Sequence, residues 1–133
     1  MPLGHLGLNV SDLDTARGRY ARLMPELGFE LFLDHDDEFA YRPAGGKPGT
    51  YLFFYPAETN APFSPANSGL QHLAFIVRTR SDVVRVAALA EELGCTIVHP
   101  PQDWPQYPPP YHAAFWTDPD GFMIEVVCHN DRD

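Results

Sequence analysis

The stretch Tyr111–Cys128, YHAAFWTDPDGFMIEVVC, decides the fold of this 133-residue chain. Two apolar runs rich in β-forming residues flank the Asp-Pro-Asp-Gly sequence at residues 118–121, which is typical of the turn of a β-hairpin. Glu125 is the only charged residue in the second run. Burying an isolated carboxylate costs several kcal/mol unless it is paired or binds a metal. The group that Glu125 faces is therefore central to the function.

The chain also contains an internal repeat. HLGLNV at residues 5–10 and HLAFIV at residues 72–77 match in type at most positions. Each is followed by a helical stripe that ends at a glycine and then by further strands. One βαβββ unit cannot bury both faces of its sheet, so we predict an α+β fold of two tandem βαβββ modules whose sheets form one incomplete barrel, with the helices outside. The predicted parts of this single domain, 1–133, are module 1 at about 1–58, a linker at about 59–68 and module 2 at about 69–130.

Local patterns predict the borders of the elements. Ser11 and Ser81 are the predicted N-caps, because a hydroxyl oxygen can accept an N–H group of the first helical turn. The acidic run at residues 34–38 lacks the glycine and distal glutamate of an EF-hand, which favours a solvated loop over a calcium site. A second, proline-rich loop is predicted at residues 100–110. The predicted strands are residues 4–10, 29–33, 39–42, 50–55, 72–77 and 95–98 and the two strands of the hairpin.

Composition limits the classes of partner. A formal net charge of −9, with nine scattered Lys and Arg residues, argues against nucleic acid, whose binding needs clustered positive charge. No apolar run is long enough to span a membrane, and MPLGHLGLNV lacks the charged region of a signal peptide. Cys95 and Cys128 lie in apolar surroundings, so we expect reduced thiols in a cytoplasmic protein. The acidic net charge suits an uncharged or cationic small-molecule ligand better than a polyanion.

Strand alternation places His5 and His72 on the faces opposite the apolar positions that pack on the helices. Glu125 lies on the corresponding face of the last strand. A lone histidine at the start of a strand is more often a satisfied polar residue, but here the histidine recurs in both halves. We therefore predict a divalent-metal site formed by His5, His72 and Glu125. The other histidines are expected outside it: His35 in the acidic loop, His99 before the proline-rich loop, His112 on the other face of its strand and His129 near the tail.

These features resemble the vicinal oxygen chelate superfamily, which includes glyoxalase I, extradiol dioxygenases, fosfomycin-resistance thiol transferases and bleomycin-resistance proteins. The resemblance is carried by the paired βαβββ halves, the two histidine-led strands and the ending FWTDPDGFMIEVV, and it extends from His5 to about His129. It implies ligand positions in the first and last strands of each half. His5 fills the first position, His72 the third and Glu125 the fourth. Aligning TYLFFYP with FMIEVVC puts Phe53, which cannot bind a metal, at the second.

A set of two histidines and one carboxylate resembles the site of the extradiol dioxygenases and of the fosfomycin-resistance enzymes, and it suits Fe(II), Mn(II) or Zn(II). The resemblance thus implies a metal-dependent dioxygenase or lyase that chelates an oxygen-bearing substrate, and it favours a homodimer. It argues against the four-ligand glyoxalase I site. Gly7, Ala113 and Phe115 occupy inward positions without a nearby basic residue, which argues against phosphonate binding.

The remaining inward positions are aromatic and predict a pocket for an aromatic or apolar substrate, lined by Tyr51, Phe53, Tyr55 and Phe115. Tyr111 is the predicted catalytic acid or hydrogen-bond donor beside Glu125. Trp104 and Tyr107 belong either to a lid or to a surface loop without a role. Two alternatives stay open: a bleomycin-resistance-type protein that sequesters a ligand without chemistry, and a metal site retained only for stability.

Overall fold

The computed structural model describes residues 3–133, and the chain divides into two compact units, Met1–Ala61 and Pro62–Asp133. Residues 1 and 2, the start of the first predicted module, lie outside the described residues. Each unit contains one α-helix and one four-stranded sheet in the order βαβββ. The predicted α+β class with two βαβββ modules is confirmed. Within residues 3–133, no helix is long and apolar enough to cross a membrane.

The first unit contains one helix against a mixed sheet. Its strand order is β1-β4-β3-β2, in which β1 and β4 run parallel and the other pairs antiparallel. The apolar side of the helix, including Tyr20 and Leu23, is buried. The elements are β1 (His5–Val10), α1 (Leu13–Glu26), β2 (Phe29–His35), β3 (Glu38–Pro43), a short 3-10 turn (Ala44–Gly46) and β4 (Tyr51–Pro56).

The second unit repeats this topology. Its strand order is β5-β8-β7-β6, again with one parallel pair, β5 and β8. Among the described strands, β6 lies at the edge of this sheet and pairs on one side only, with β7. The elements are β5 (Leu73–Val77), α2 (Arg80–Glu92), β6 (Thr96–Asp103), β7 (His112–Thr117) and β8 (Met123–Cys128).

The registers of the two parallel pairs make Phe53 and Glu125 equivalent. Gly7 pairs with Phe53 in the first unit, and Ala74 pairs with Glu125 in the second. Gly7 and Ala74 occupy the same place in the repeat, two residues after the histidine. The alignment that puts Phe53 at the position of the carboxylate is therefore confirmed by the strand pairing.

Both predicted N-caps are wrong by one or two residues. The Asp12 carboxylate accepts a hydrogen bond from the Thr15 backbone N–H at 3.1 Å and caps α1. The Thr79 hydroxyl accepts one from the Asp82 N–H at 3.0 Å and caps α2. The capping oxygen must reach the N–H three residues ahead, and Ser11 lies before that position while Ser81 lies within the first turn.

The acidic loop is shorter than predicted. β2 continues through His35, β3 begins at Glu38, and only residues 36 and 37 form the turn. Asp34 pairs with Phe39 across the two strands. The guanidinium of Arg17 contacts the Asp34 carboxylate and donates to the His35 carbonyl at 2.8 Å, so the charges of this run stabilise the end of a hairpin.

The proline-rich loop is also shorter than predicted, because β6 extends to Asp103 and includes Pro100 and Pro101. Proline has no N–H to donate to a ladder, but an edge strand tolerates it on its unpaired side or at a bulge. The register between β6 and β7 shifts between His99 and Gln102, where the two prolines lie. The strand therefore carries His99 in its middle, before a loop that is limited to residues 104–111.

The turn that connects β7 to β8 is held by its own side chain. One Asp118 oxygen accepts hydrogen bonds from the N–H groups of Asp120 and Phe122, each at 3.0 Å. Gly121 has a φ of +94°, and a Cβ atom there would lie 2.7 Å from the Phe63 carbonyl oxygen. Phe63 in turn packs on Phe122, with ring centroids 4.9 Å apart.

We expect Gly121→Ala to lower the free energy of unfolding by roughly 1–3 kcal/mol, because left-handed backbone is strained for alanine and the new methyl group collides with the Phe63 carbonyl. Gly18→Ala is the matched control. Gly18 is exposed within α1 with nothing near its missing Cβ, so alanine should stabilise the helix by about 0.5–1 kcal/mol. Urea denaturation measures both; a Gly121→Ala protein as stable as the parent would contradict this account of the turn.

Candidate functional site

Glu125 is a fully buried carboxylate in β8. Its side chain is 1% exposed, and one of its oxygens, Oε1, lies 3.1 Å from Nε2 of His72. His72 stands immediately before β5, and β5 pairs with β8 in parallel, so the start of one strand brings the imidazole beside the middle of the other. The structure thus brings together two of the three predicted metal ligands.

A neighbouring amide orients the His72 ring. Nδ1 of His72 lies 3.0 Å from the Gln71 side-chain oxygen, an acceptor, so the two form a hydrogen bond in the tautomer that carries its proton on Nδ1. The lone pair of Nε2 in a neutral ring then faces the Glu125 oxygen. Two acceptors at this distance repel each other unless a cation, either a proton on Nε2 or a metal ion, lies at the site.

The second oxygen of Glu125 accepts a hydrogen bond from Tyr111. The phenolic hydroxyl donates to Oε2 at 2.6 Å, which is the contact expected of the predicted donor. Loss of solvent around the phenol, and then the hydrogen bond to the charged Glu125, raise the pKa of Tyr111 above its ordinary value. Tyr111 therefore keeps its proton and remains a donor throughout the neutral range.

A cleft of about 560 Å³ in the second unit contains this cluster. Aromatic rings form much of its wall: the Phe115 ring lies edge-on to His72 at 5.6 Å and to Trp104 at 5.2 Å between centroids. Among the described residues that line it, none is Lys or Arg. The lining residues are Pro65, Ala66, Gln71, His72, His99, Trp104, Tyr107, Tyr111, Phe115, Met123 and Glu125.

Of the four predicted pocket residues, Phe115 lines this cleft. Tyr51, Phe53 and Tyr55 belong to β4 of the first unit, where they are half-buried and alternate with the buried Leu52 and Phe54. The Phe53 ring lies 5.2 Å from that of His5 and 6.3 Å from that of Tyr55. These rings form an aromatic row at the position where the second unit has its histidine and carboxylate.

Sequence reasoning missed His99, which lines the cleft. Its ring lies edge-on to Trp104 at 5.1 Å and to Phe115 at 5.5 Å between centroids. The expected loop border at Pro100 placed this histidine outside the sheet. Extending β6 through the two prolines as an edge strand would have drawn attention to it.

Trp104 and Tyr107 belong to the wall of the cleft. The Trp104 indole donates to the Ala113 carbonyl at 3.1 Å, and its backbone N–H donates to the Tyr111 carbonyl at 2.9 Å. The Tyr107 ring packs on that of Tyr111 at 4.8 Å between centroids. The role of this loop as a lid stays a prediction.

The chemistry of the His72–Glu125 pair fits a divalent metal. An imidazole nitrogen and a carboxylate oxygen are ligand types that divalent transition metals take, although their separation of 3.1 Å is also that of an ordinary hydrogen bond. Within residues 3–133, however, no three His, Cys, Asp or Glu side chains are grouped closely enough to hold a metal ion. The pair contains two of the three predicted ligands, and metal binding by His5, His72 and Glu125 stays a prediction.

Comparison with known proteins agrees with this fold. The profile of the Glyoxalase/Bleomycin resistance protein/Dioxygenase superfamily matches residues 3–126. No curated protein matches the chain. Among solved structures, a candidate glyoxalase from Bacillus halodurans is 26% identical with a TM-score of 0.77, over 95% of this chain and 94% of the other.

Two further structures share the fold at lower identity. A glyoxalase/bleomycin resistance protein from Albidiferax ferrireducens T118 is 20% identical with a TM-score of 0.77, over 96% of this chain and 98% of the other. The lactoylglutathione lyase from Agrobacterium tumefaciens is 19% identical with a TM-score of 0.62, over 95% and 92%. By the profile match over nearly its whole length, the chain belongs to the Glyoxalase/Bleomycin resistance protein/Dioxygenase superfamily.

Proposed function

We propose that this protein is a metal-dependent enzyme whose His72 and Glu125 hold a divalent ion at the wall of an aromatic cleft. The observation that carries the proposal is the 3.1 Å approach of Nε2 of His72 to a carboxylate that is 1% exposed. Replacing a buried pair of this kind by apolar residues of similar volume is often neutral or stabilising, so a contribution to stability is a weak reason for the pair. A cation-binding role explains why both are there.

His5 is the proposed third ligand, because it leads the first unit as His72 leads the second and because the superfamily resemblance assigns it that role. A set of two nitrogens and one oxygen suits Fe(II), Mn(II) or Zn(II). Such an ion, when bound, would supply Lewis-acid polarisation of the oxygen atoms of a chelating substrate. We propose a homodimer as the working form and a location in the cytoplasm; the buried Cys95 and Cys128, which are not joined in a disulfide, support the second of these.

Tyr111 is the proposed positioning group for the carboxylate. Its hydroxyl occupies Oε2 of Glu125, which leaves Oε1, the oxygen on the His72 side, for the metal. A hydrogen bond of this kind fixes the orientation of a ligand and typically contributes a factor of about 10–100 to metal affinity.

The lining of the cleft supports an apolar or aromatic substrate that carries oxygen donors. Trp104, Phe115 and Tyr107 offer ring faces and edges against which a planar molecule can pack. The described lining residues include no Lys or Arg to pair with carboxylate or phosphonate groups, which disfavours polyanionic substrates. We propose dioxygenase or lyase chemistry on such a substrate.

We expect the purified protein to contain a transition metal and His72→Ala to lower its metal affinity by more than the 10–100-fold typical of changes around a ligand. Glu125→Gln should do the same without loss of fold, because the amide keeps the volume of the carboxylate. Inductively coupled plasma mass spectrometry and Mn(II) titration measure both effects.

His35→Ala is the matched control for these variants, since it removes an exposed histidine at the end of β2 and should leave metal content unchanged. Melting temperature with and without chelator separates loss of metal from loss of fold. If the parent protein takes up no metal, or if His72→Ala binds it as tightly as the parent, the metal-dependent function is wrong.

Tyr111→Phe tests the proposed role of the phenol. We expect about a tenfold loss of Mn(II) affinity, because the variant keeps the ring but frees Oε2 of Glu125 from its hydrogen bond. Tyr107→Phe is the control, since it removes a hydroxyl from the neighbouring ring of the same cleft. Equal affinities for the Tyr111→Phe variant and the parent would show that the hydrogen bond does not serve the metal.

A bleomycin-resistance-type protein that binds a ligand without chemistry is the second candidate. The aromatic wall of the cleft favours it, because ring stacking alone can hold a planar ligand. The two candidates differ in their dependence on metal. Calorimetry can compare the affinity for an aromatic ligand between protein treated with a chelator and metal-loaded protein. Equal affinities, with no turnover of the ligand, would favour sequestration.

A further inference from the structure

The loop at residues 104–111 carries three of the residues that line the cleft. Trp104 begins it, Tyr107 lies at its middle, and Tyr111, the donor to Glu125, ends it. The position of the phenol therefore depends on how the two ends of this loop are held. The residues directly outside the loop are Asp103, the last of β6, and His112, the first of β7.

A pair of side chains fastens the base of this loop. Asp103 and His112 are register partners, and Nδ1 of His112 lies 2.9 Å from Oδ1 of Asp103, so the imidazole donates to the carboxylate. The hydrogen bond from His112 holds the pKa of the Asp103 carboxyl below its ordinary range. The next residues into the loop are also joined, because the Trp104 backbone N–H donates to the Tyr111 carbonyl at 2.9 Å.

A third residue anchors this pair to the helix. Nη2 of Arg80, the first residue of α2, donates to the same Asp103 oxygen at 2.8 Å. The backbone N–H of Arg80 in turn donates to the Arg132 carbonyl at 2.7 Å. Asp103 thus receives two donors from two different elements, and its position is set from outside the cleft.

The Asp103–His112 pair lies on the face of the sheet opposite the cleft. Phe115 lines the cleft, and alternate residues of a strand point to opposite faces, so His112 points the other way. Neither Asp103 nor His112 lines the cleft. Any effect of these residues on the site must pass through the backbone of the loop.

We infer that Asp103 and His112, anchored by Arg80, are positioning residues that hold the 104–111 loop so that the Tyr111 hydroxyl reaches Glu125. The prolines of the loop at positions 105, 108, 109 and 110 restrict its backbone. A stiff loop transmits a displacement at its base to Tyr111 instead of absorbing it. The inference deepens the proposed function and rests on it only where the metal is concerned.

Amide hydrogen exchange, measured without ligand or metal, tests whether the Asp103–His112 pair holds the loop. In His112→Ala we expect the Trp104 amide to exchange about tenfold faster, because its bond to the Tyr111 carbonyl loses the support of the pair next to it. The exchange rates of the amides that form the β7–β8 ladder should stay unchanged. His112→Asn should restore most of the protection, since its side-chain amide can donate to Asp103. Arg85→Ala is the control, because it removes an exposed ion pair of α2, the helix that begins at Arg80.

Metal binding tests the coupling to Tyr111. If His112 acts through the phenol, His112→Ala should lower Mn(II) affinity about as much as Tyr111→Phe, and the double variant should lose no more than either alone. Additive losses, or Trp104 exchange that is unaffected by His112→Ala or equally affected by Arg85→Ala, would overturn the inference. A parent protein that binds no Mn(II) would instead count against the proposed function, while the exchange measurements would still decide whether the loop is held in this way.

Discussion

The burial of one carboxylate, Glu125, is the constraint on which the second unit depends. At 1% exposure it has no access to bulk water, so its two oxygens must be satisfied by the surrounding side chains. Oε2 takes the phenol of Tyr111, and Oε1 faces the imidazole of His72. Buried ionic groups contribute little to stability compared with apolar packing of the same volume, so a carboxylate at this position favours a functional role.

The two units share a topology but carry different side chains at equivalent positions. Gly7 pairs with Phe53 where Ala74 pairs with Glu125, so one register carries an aromatic ring in the first unit and a carboxylate in the second. The histidine of each unit accordingly meets a different partner: His5 contacts a ring, and His72 a charge. The fold supplies the positions, and single side chains decide what each position does.

The cleft combines a polar cluster with an apolar wall. His72 of the polar cluster contacts the Phe115 ring, and His99 and Trp104 contact the same ring. Water-poor, aromatic surroundings strengthen the electrostatic interactions of a buried carboxylate with any cation beside it. The wall also depends on a loop whose ends are fixed by contacts outside the cleft, so residues that never touch a ligand contribute to the geometry of the site.

The sequence by itself determined the repeat, the βαβββ order of each half and the candidate residues of the site, because strand alternation and the two histidine-led strands are local patterns. It also placed Tyr111 near Glu125. Only the tertiary structure decided that the phenol donates to Oε2, that β6 continues through two prolines, and that His99 therefore lines the cleft. The tertiary structure alone also decided that His112 donates to Asp103 and that Arg80 donates to the same carboxylate oxygen. These contacts depend on the register shifts between β6 and β7 and on the position of β6 at the edge of its sheet. Both features are set by contacts between residues far apart in the chain.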